Sequence, residues 1–291
     1  MALSATIQHR AEQLAARLPP LLVEAERVAA TIAQGVHGRR RVGQGETFWQ
    51  FRQYQPGDAP QRIDWRESAK SQRVYVRETE WEAAQSVWLW RDASPSMDWA
   101  SSNSLPTKAA RSDLLLVALA ALLVRGGERT TLLGSGMAPS SGRVILGRIA
   151  QIVDRAEATG RLPDFEMLPR YAQVVVIGDL LSPLEEVQRL VNRYAALGVR
   201  GHLLQVLDPA EEDLPFDGRV KFEGVESDDE ILISRVETVR EDYAARLKAH
   251  RAGLADIGRA YGWSFLTHRT DRAPHLALLA LYGALARAPG N

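Results

Sequence analysis

From residue 86 onward, short apolar runs alternate with longer helical patterns, and this alternation constrains the fold more than any other feature of the chain. Strands are expected over 86–91, 129–134, 172–178, 201–207 and 263–267. Helices are expected over 104–125, 143–158, 183–197, 234–261 and 273–287. Strands that alternate with helices make a largely parallel sheet covered on both faces. The stretch from Val174 to Ile177 is uniformly apolar, as a doubly covered central strand requires. The fold class expected is therefore α/β: an open, mostly parallel, Rossmann-type sheet with helices on both faces.

The chain before residue 81 has a different texture. A helix is expected over 4–33, capped by Ser4, with Leu14, Leu18, Leu21, Leu22 and Val28 at helical spacing and a break at Pro19-Pro20. A glycine-rich basic loop follows, with Arg39, Arg40 and Arg41. Residues 46–80 mix aromatic and charged side chains, carry a turn signal at Pro56-Gly57-Asp58, and end in an alternating strand over 73–80. The division expected is thus 1–80, an N-terminal helix with a small basic β-containing segment, and 81–291, the α/β domain.

Composition excludes several classes of function. The chain of 291 residues carries 36 basic and 36 acidic side chains, so no net charge draws it to nucleic acid or to a membrane surface. Basic residues gather between 35 and 77 and acids between 208 and 230, and no aromatic and basic pattern recurs in the style of a nucleic-acid module. Cysteine is absent, which removes disulfides, thiolate metal sites and cysteine nucleophiles. The first residues lack the apolar core of a signal peptide. The most apolar stretch, 114–124, falls short of the roughly 20 residues that a spanning helix needs. No membrane span and a cytoplasmic location are the expectations. The six histidines are scattered without ligand spacing, and no phosphate-cradling loop or nucleophile elbow is present.

The strongest chemical signal is Asp92-Ala93-Ser94-Pro95-Ser96. It follows an apolar strand, and in an open α/β sheet ligands bind beyond the carboxyl ends of the strands. A loop there can bring the side chains at i, i+2 and i+4 to one point, where a carboxylate and two hydroxyls suit Mg²⁺ or Mn²⁺. Asp179 ends a second apolar strand and would lie beside Asp92 if the two strands pair. Asp92, Ser94 and Ser96 also suit a cap and a turn, and so does Asp179, although Ser182 is the better cap for the helix after it.

This loop resembles the metal-ion-dependent adhesion site of von Willebrand A domains, in which an Asp-x-Ser-x-Ser loop, a threonine and a later aspartate hold a divalent ion. Asp92, Ser94 and Ser96 match its first element and Asp179 its last. The threonine has no clear counterpart; Ser140 and Ser141 are the hydroxyls nearest its place in the sequence. A second resemblance covers the stretch before the site. Tyr54, Pro56, Gly57, Asp58, Arg62, Ile63, Asp64, Trp65, Ser68, Ala69 and Glu78 look like the hallmark of domain-of-unknown-function family 58, bacterial proteins that join it to a von Willebrand A-like domain. Within the hallmark, Asp58, Arg62, Asp64, Trp65 and Arg66 suit a buried ionic and aromatic knot better than a partner surface.

The resemblance implies a function. Members of that family are encoded with AAA+ ATPases of the MoxR type, so the expected role is a non-enzymatic adaptor or co-chaperone. It would bind that ATPase or its client through a Mg²⁺ or Mn²⁺ ion held by Asp92, Ser94, Ser96 and Asp179. The alternatives are a metal-dependent hydrolase at the same acids and a metal-free structural scaffold.

Overall fold

The computed structural model describes residues 29, 42–43, 47–55, 63–70, 73–80, 85–155, 160–224 and 230–286. The helix expected over 4–33 lies, apart from Ala29, outside the described residues, as do Asp58 and Arg62. The chain divides into a small unit, Val36–Gln85, and a larger one that contains Ser86–Asn291.

The small unit is built on an antiparallel sheet. Strands β1 (Val42–Gly43), β2 (Thr47–Gln53) and β3 (Tyr75–Glu80) lie in the order β1-β3-β2. Between β2 and β3 comes a four-residue helix, α1 (Trp65–Ser68). Asp64 caps it by accepting from the Glu67 amide at 2.9 Å. The Ser68 hydroxyl locks the helix to β3: it donates to the Asp64 carbonyl at 2.7 Å and accepts from the Tyr75 amide at 2.8 Å. Asp64 is therefore spent on a cap. Trp65, expected in a buried knot, is 67% exposed, because it starts a helix too short to turn that face inward.

The larger unit carries the parallel sheet that the alternation predicts. Its strands are β4 (Ser86–Arg91), β5 (Arg129–Leu132), β6 (Gln173–Gly178), β7 (Arg200–Leu207) and β10 (Ser264–Arg269), in the order β10-β7-β6-β4-β5 with every pairing parallel. The principal helices are α2 (Lys108–Arg125), α3 (Arg143–Arg155), α4 (Leu184–Ala196), α6 (Arg240–Tyr261) and α7 (Pro274–Leu285). Helix α2 starts at Thr107, whose hydroxyl accepts from the Ala110 amide at 3.1 Å. Its residues from Leu114 to Leu123 are all buried, as the apolar run predicts.

Strand alternation sends the two faces of the sheet to different partners. Trp88, Trp90, Val174, Val176 and Leu203 join a core with Leu190, Val191 and Tyr194 of α4 and Leu254 and Ile257 of α6. On the other face, Arg91 pairs through Nε with Asp113 of α2 at 2.5 Å and donates to the Val153 carbonyl of α3 at 2.9 Å. Both faces are covered. All six residues of β6 are buried, so the central-strand reading holds.

The expected helix over 234–261 begins later, at Arg240, after a 3₁₀ turn at Val236–Thr238. Before it stands an unforeseen antiparallel ribbon, β8 (Val220–Glu223) with β9 (Glu230–Ile233). Its residues are half-buried or exposed; β8 alternates over only four residues, and the three apolar residues of β9 are consecutive, so neither gives a strong two-residue period. A five-residue helix, α5 (Pro209–Asp213), follows β7. Among the described residues, no helix is long and apolar enough to cross a membrane.

Candidate functional site at the strand ends

The connection after β4 runs to β5 on one side of the sheet, and the connection after β6 runs to β7 on the other. The carboxyl ends of β4 and β6 therefore form the topological switch point, where open α/β sheets place their ligands. Asp92 and Asp179 are the residues that leave those two strands.

The two loops meet there. The Asp92 amide donates to the Ile177 carbonyl at 2.8 Å, extending the β4–β6 pairing by a residue. Its Oδ1 accepts from the Ser94 amide at 2.7 Å, which bends the chain back at once. Pro95–Met97 then makes a 3₁₀ turn, anchored by Met97 at 0% exposure. The Ser94 and Ser96 hydroxyls stand 3.0 Å apart, and Ser96 Oγ donates to Asp179 Oδ2 at 3.2 Å. The four expected site residues are thus brought to one place. Asp92, Ser94 and Asp179 are buried there, and Ser96 is half-buried.

The loop after β6 is held from several sides. Asp179 Oδ1 accepts from the Leu181 amide at 3.2 Å, Gln205 Nε2 donates to the Asp179 carbonyl at 2.9 Å, and His250 Nε2 lies 2.7 Å from the Leu180 carbonyl. Leu180 takes a left-handed backbone conformation (φ 50°) that turns the chain away from the sheet. Ser182 does not cap α4: the cap position is Pro183, without a side-chain bond, and Ser182 is buried.

Sequence reasoning missed Lys108, the first residue of α2. It is 1% exposed, and its Nζ lies 3.2 Å from Asp179 Oδ2 and 2.6 Å from Glu211 Oε1. Glu211 belongs to α5, where Asp208 and Glu211 form a capping box: Asp208 Oδ1 accepts from the Ala210 amide at 2.8 Å, and Glu211 Oε2 accepts from the Asp208 amide at 2.9 Å. Asp208 Oδ2 also accepts from the Ser101 amide at 3.0 Å. Burial pushes the Glu211 carboxyl above its ordinary range, and the Lys108 ammonium opposes that push. The Asp-Pro-Ala-Glu spacing is a readable capping signal. A single lysine at the head of an apolar helix gives no comparable sign of where its ammonium goes.

Ser140 does not stand in for the missing threonine. Its backbone pairs with Thr130, and Thr130 lies opposite Val87, at the start of β4 and away from Asp92. Ser141 follows it.

The arrangement suits an ammonium better than a divalent ion. The 3.0 Å between the serine hydroxyls matches the edge of a Mg²⁺ octahedron with bonds of about 2.1 Å. Yet Asp179 has both oxygens engaged, one by Leu181 and the other by Ser96 and Lys108. A divalent ion would have to share that carboxylate with a buried ammonium, a repulsion of several kcal/mol at roughly 4 Å even with an effective dielectric of about 20. With Lys108 so placed, the residues present do not fit the ion.

Residues 50–253 match the model of the family described as "Protein of unknown function DUF58". The uncharacterized protein Rv1480 of Mycobacterium tuberculosis is 28% identical over 284 residues, which cover 89% of this chain and 86% of that protein. The uncharacterized protein MAV169 of Mycobacterium avium is 29% identical over 150 residues, covering 51% of this chain and 82% of that protein. Among solved structures, an aerotolerance-related membrane protein from Bacteroides fragilis aligns with a TM-score of 0.42 and 14% identity, over 69% of this chain and 98% of that one. BatB from Bacteroides thetaiotaomicron, described as a conserved hypothetical protein, aligns with a TM-score of 0.40 and 11% identity, over 70% of this chain and 100% of that one.

Proposed function

The chain belongs to the DUF58 family, and from that premise we propose that it is a non-enzymatic adaptor or co-chaperone that docks a protein partner on the rim at the ends of β4 and β6. The observation that carries the reading is the Ser96–Asp179 hydrogen bond, which ties two loops into one platform at the switch point. The polar groups of the platform are spent on one another: Ser94 on Ser96, Ser96 on Asp179, and Asp179 on Lys108. Such a network fixes a shape. The surface offered to a partner is the outer rim, where Pro95, Asp98 and Leu181 are exposed. The partner proposed is a MoxR-type AAA+ ATPase or that ATPase's client, on the strength of the family resemblance set out above.

Capture of a purified MoxR-type ATPase in the presence of ATP tests this reading. Leu181→Asp places a charge on the exposed rim, and capture should weaken by about tenfold or more, equivalent to about 1.4 kcal/mol. Tyr171→Asp, at an exposed site before the start of β6, is the control and should capture like the parent. Equal capture by both variants would move the docking point elsewhere.

A further inference from the structure

Three chain segments converge on Lys108. Its Nζ contacts Asp179 from the loop after β6 and Glu211 from the helix after β7. Through the shared Asp179 Oδ2 it is one hydrogen bond from Ser96 in the loop after β4. Its own backbone opens α2, and its amide donates to the Trp99 carbonyl at 3.2 Å. In a site built of carboxylates and hydroxyls, a divalent ion is what ordinarily draws separate loops to one point. Here a positive charge already stands at the convergence, and it is attached to the chain.

We infer that Lys108 is the permanent cation of this site, taking the place of a divalent ion, and that the protein holds its rim in shape without taking up metal. Two carboxylates at 2.6 and 3.2 Å offset the cost of burying this side chain. The ammonium also suits the geometry in a way Mg²⁺ does not. Three donors on a flexible stem reach carboxylates at hydrogen-bond distance, whereas Mg²⁺ demands near-octahedral oxygens at about 2.1 Å. Asp179, which would have served the metal, serves the lysine. This inference stands apart from the docking reading, since it concerns what organises the rim and would hold whatever partner the rim meets.

The test is Mn²⁺ uptake and thermal stability in the full-length protein. The parent should leave the electron paramagnetic resonance signal of free Mn²⁺ unchanged up to about 1 mM, and its Tm should be the same in Mn²⁺ as in chelator. Lys108→Met keeps the length of the side chain and removes the charge, leaving Asp179 and Glu211 without their cation. Its Tm should fall by more than about 5 °C, and Mn²⁺ should restore part of the loss because the ion can now enter. If that variant fails to fold, Lys108→Met combined with Glu211→Gln removes one carboxylate with the ammonium and is read in the same way. Mn²⁺ uptake by the parent that is lost in Asp92→Asn would overturn the inference. So would a Lys108→Met variant that melts with the parent, or one that melts lower and ignores Mn²⁺.

Discussion

Gly178 and Asp92 sit on adjoining strand ends with no room for a methyl group between them. A Cβ on Gly178 would lie 2.9 Å from the Asp92 Cβ and 3.4 Å from its Oδ2. Both neighbours are fixed, one by the β4–β6 ladder and the other by the turn to Ser94. Gly178→Ala should therefore cost about 1–3 kcal/mol of stability and shift the Asp92 loop. Urea denaturation reads the first effect, and amide chemical shifts of Ser94 and Ser96 read the second. An unchanged midpoint and unchanged shifts would show that the strand ends can separate at little cost.

A tighter approach occurs at the other end of the sheet. A Cβ on Gly201 would fall 2.1 Å from the Trp263 indole, inside the core shared with Tyr194 and Leu254. Trp263 is buried, so the ring has nowhere to go. Gly201→Ala is expected to destabilise by about 3 kcal/mol or more, with a red-shifted tryptophan emission. Parental stability in that variant would mean the ring finds another seat.

Acid should destabilise the fold through two histidines. Burial lowers His202 and His268 to about 4, with Arg200 adding to the effect at the first and Arg111 at the second. The unfolded chain takes up these protons near pH 6.5, and the folded one resists until near pH 4. The stability due to each neutral ring is complete above pH 6.5 and is lost as pH falls toward 4, by about 3 kcal/mol per histidine. His202→Gln should flatten stability against pH across that window. A slope equal to the parent's would show that His202 is not the group responsible.

Asp113 works in the opposite sense. Desolvation raises its carboxyl to about 6, exceeding the pull of the Arg91 guanidinium beside it. Between about pH 4 and 6 the folded chain keeps a proton that the unfolded chain releases. Its contribution therefore falls as pH rises through this window, by up to about 3 kcal/mol. Asp113→Asn removes this dependence, so the stability difference, parent minus variant, should shrink from pH 4 to pH 7. A difference that grows instead would mean that Arg91 outweighs burial.

The sheet was legible in the sequence because its central elements are unambiguous. Val174–Ile177 and the run of α2 are too continuously apolar to be anything but buried, and helix and strand separate there by length. The Asp92 loop and Asp179 were legible too, since a strand that stops at an aspartate places that side chain at the carboxyl edge. What escaped were interactions between distant segments. Lys108 and Glu211 are 103 residues apart, and neither carries a local pattern that names the other. The β8–β9 ribbon escaped because each strand is four residues long: Val220–Glu223 alternates over too short a span to stand out, and Ile231, Leu232 and Ile233 run together without alternation. Trp65 reads as core by type and lies outward because its helix is a single turn.

Glu211 divides its two oxygens between different tasks, one closing the capping box of α5 and the other holding the ammonium of Lys108. Five residues are too few for a helix to persist on its own. Opening of α5 and loosening of Lys108 are consequently coupled through this one side chain. Deuterium entering the amide of Leu214, which bonds to the Ala210 carbonyl in the last turn, would act as a clock for the ion pair.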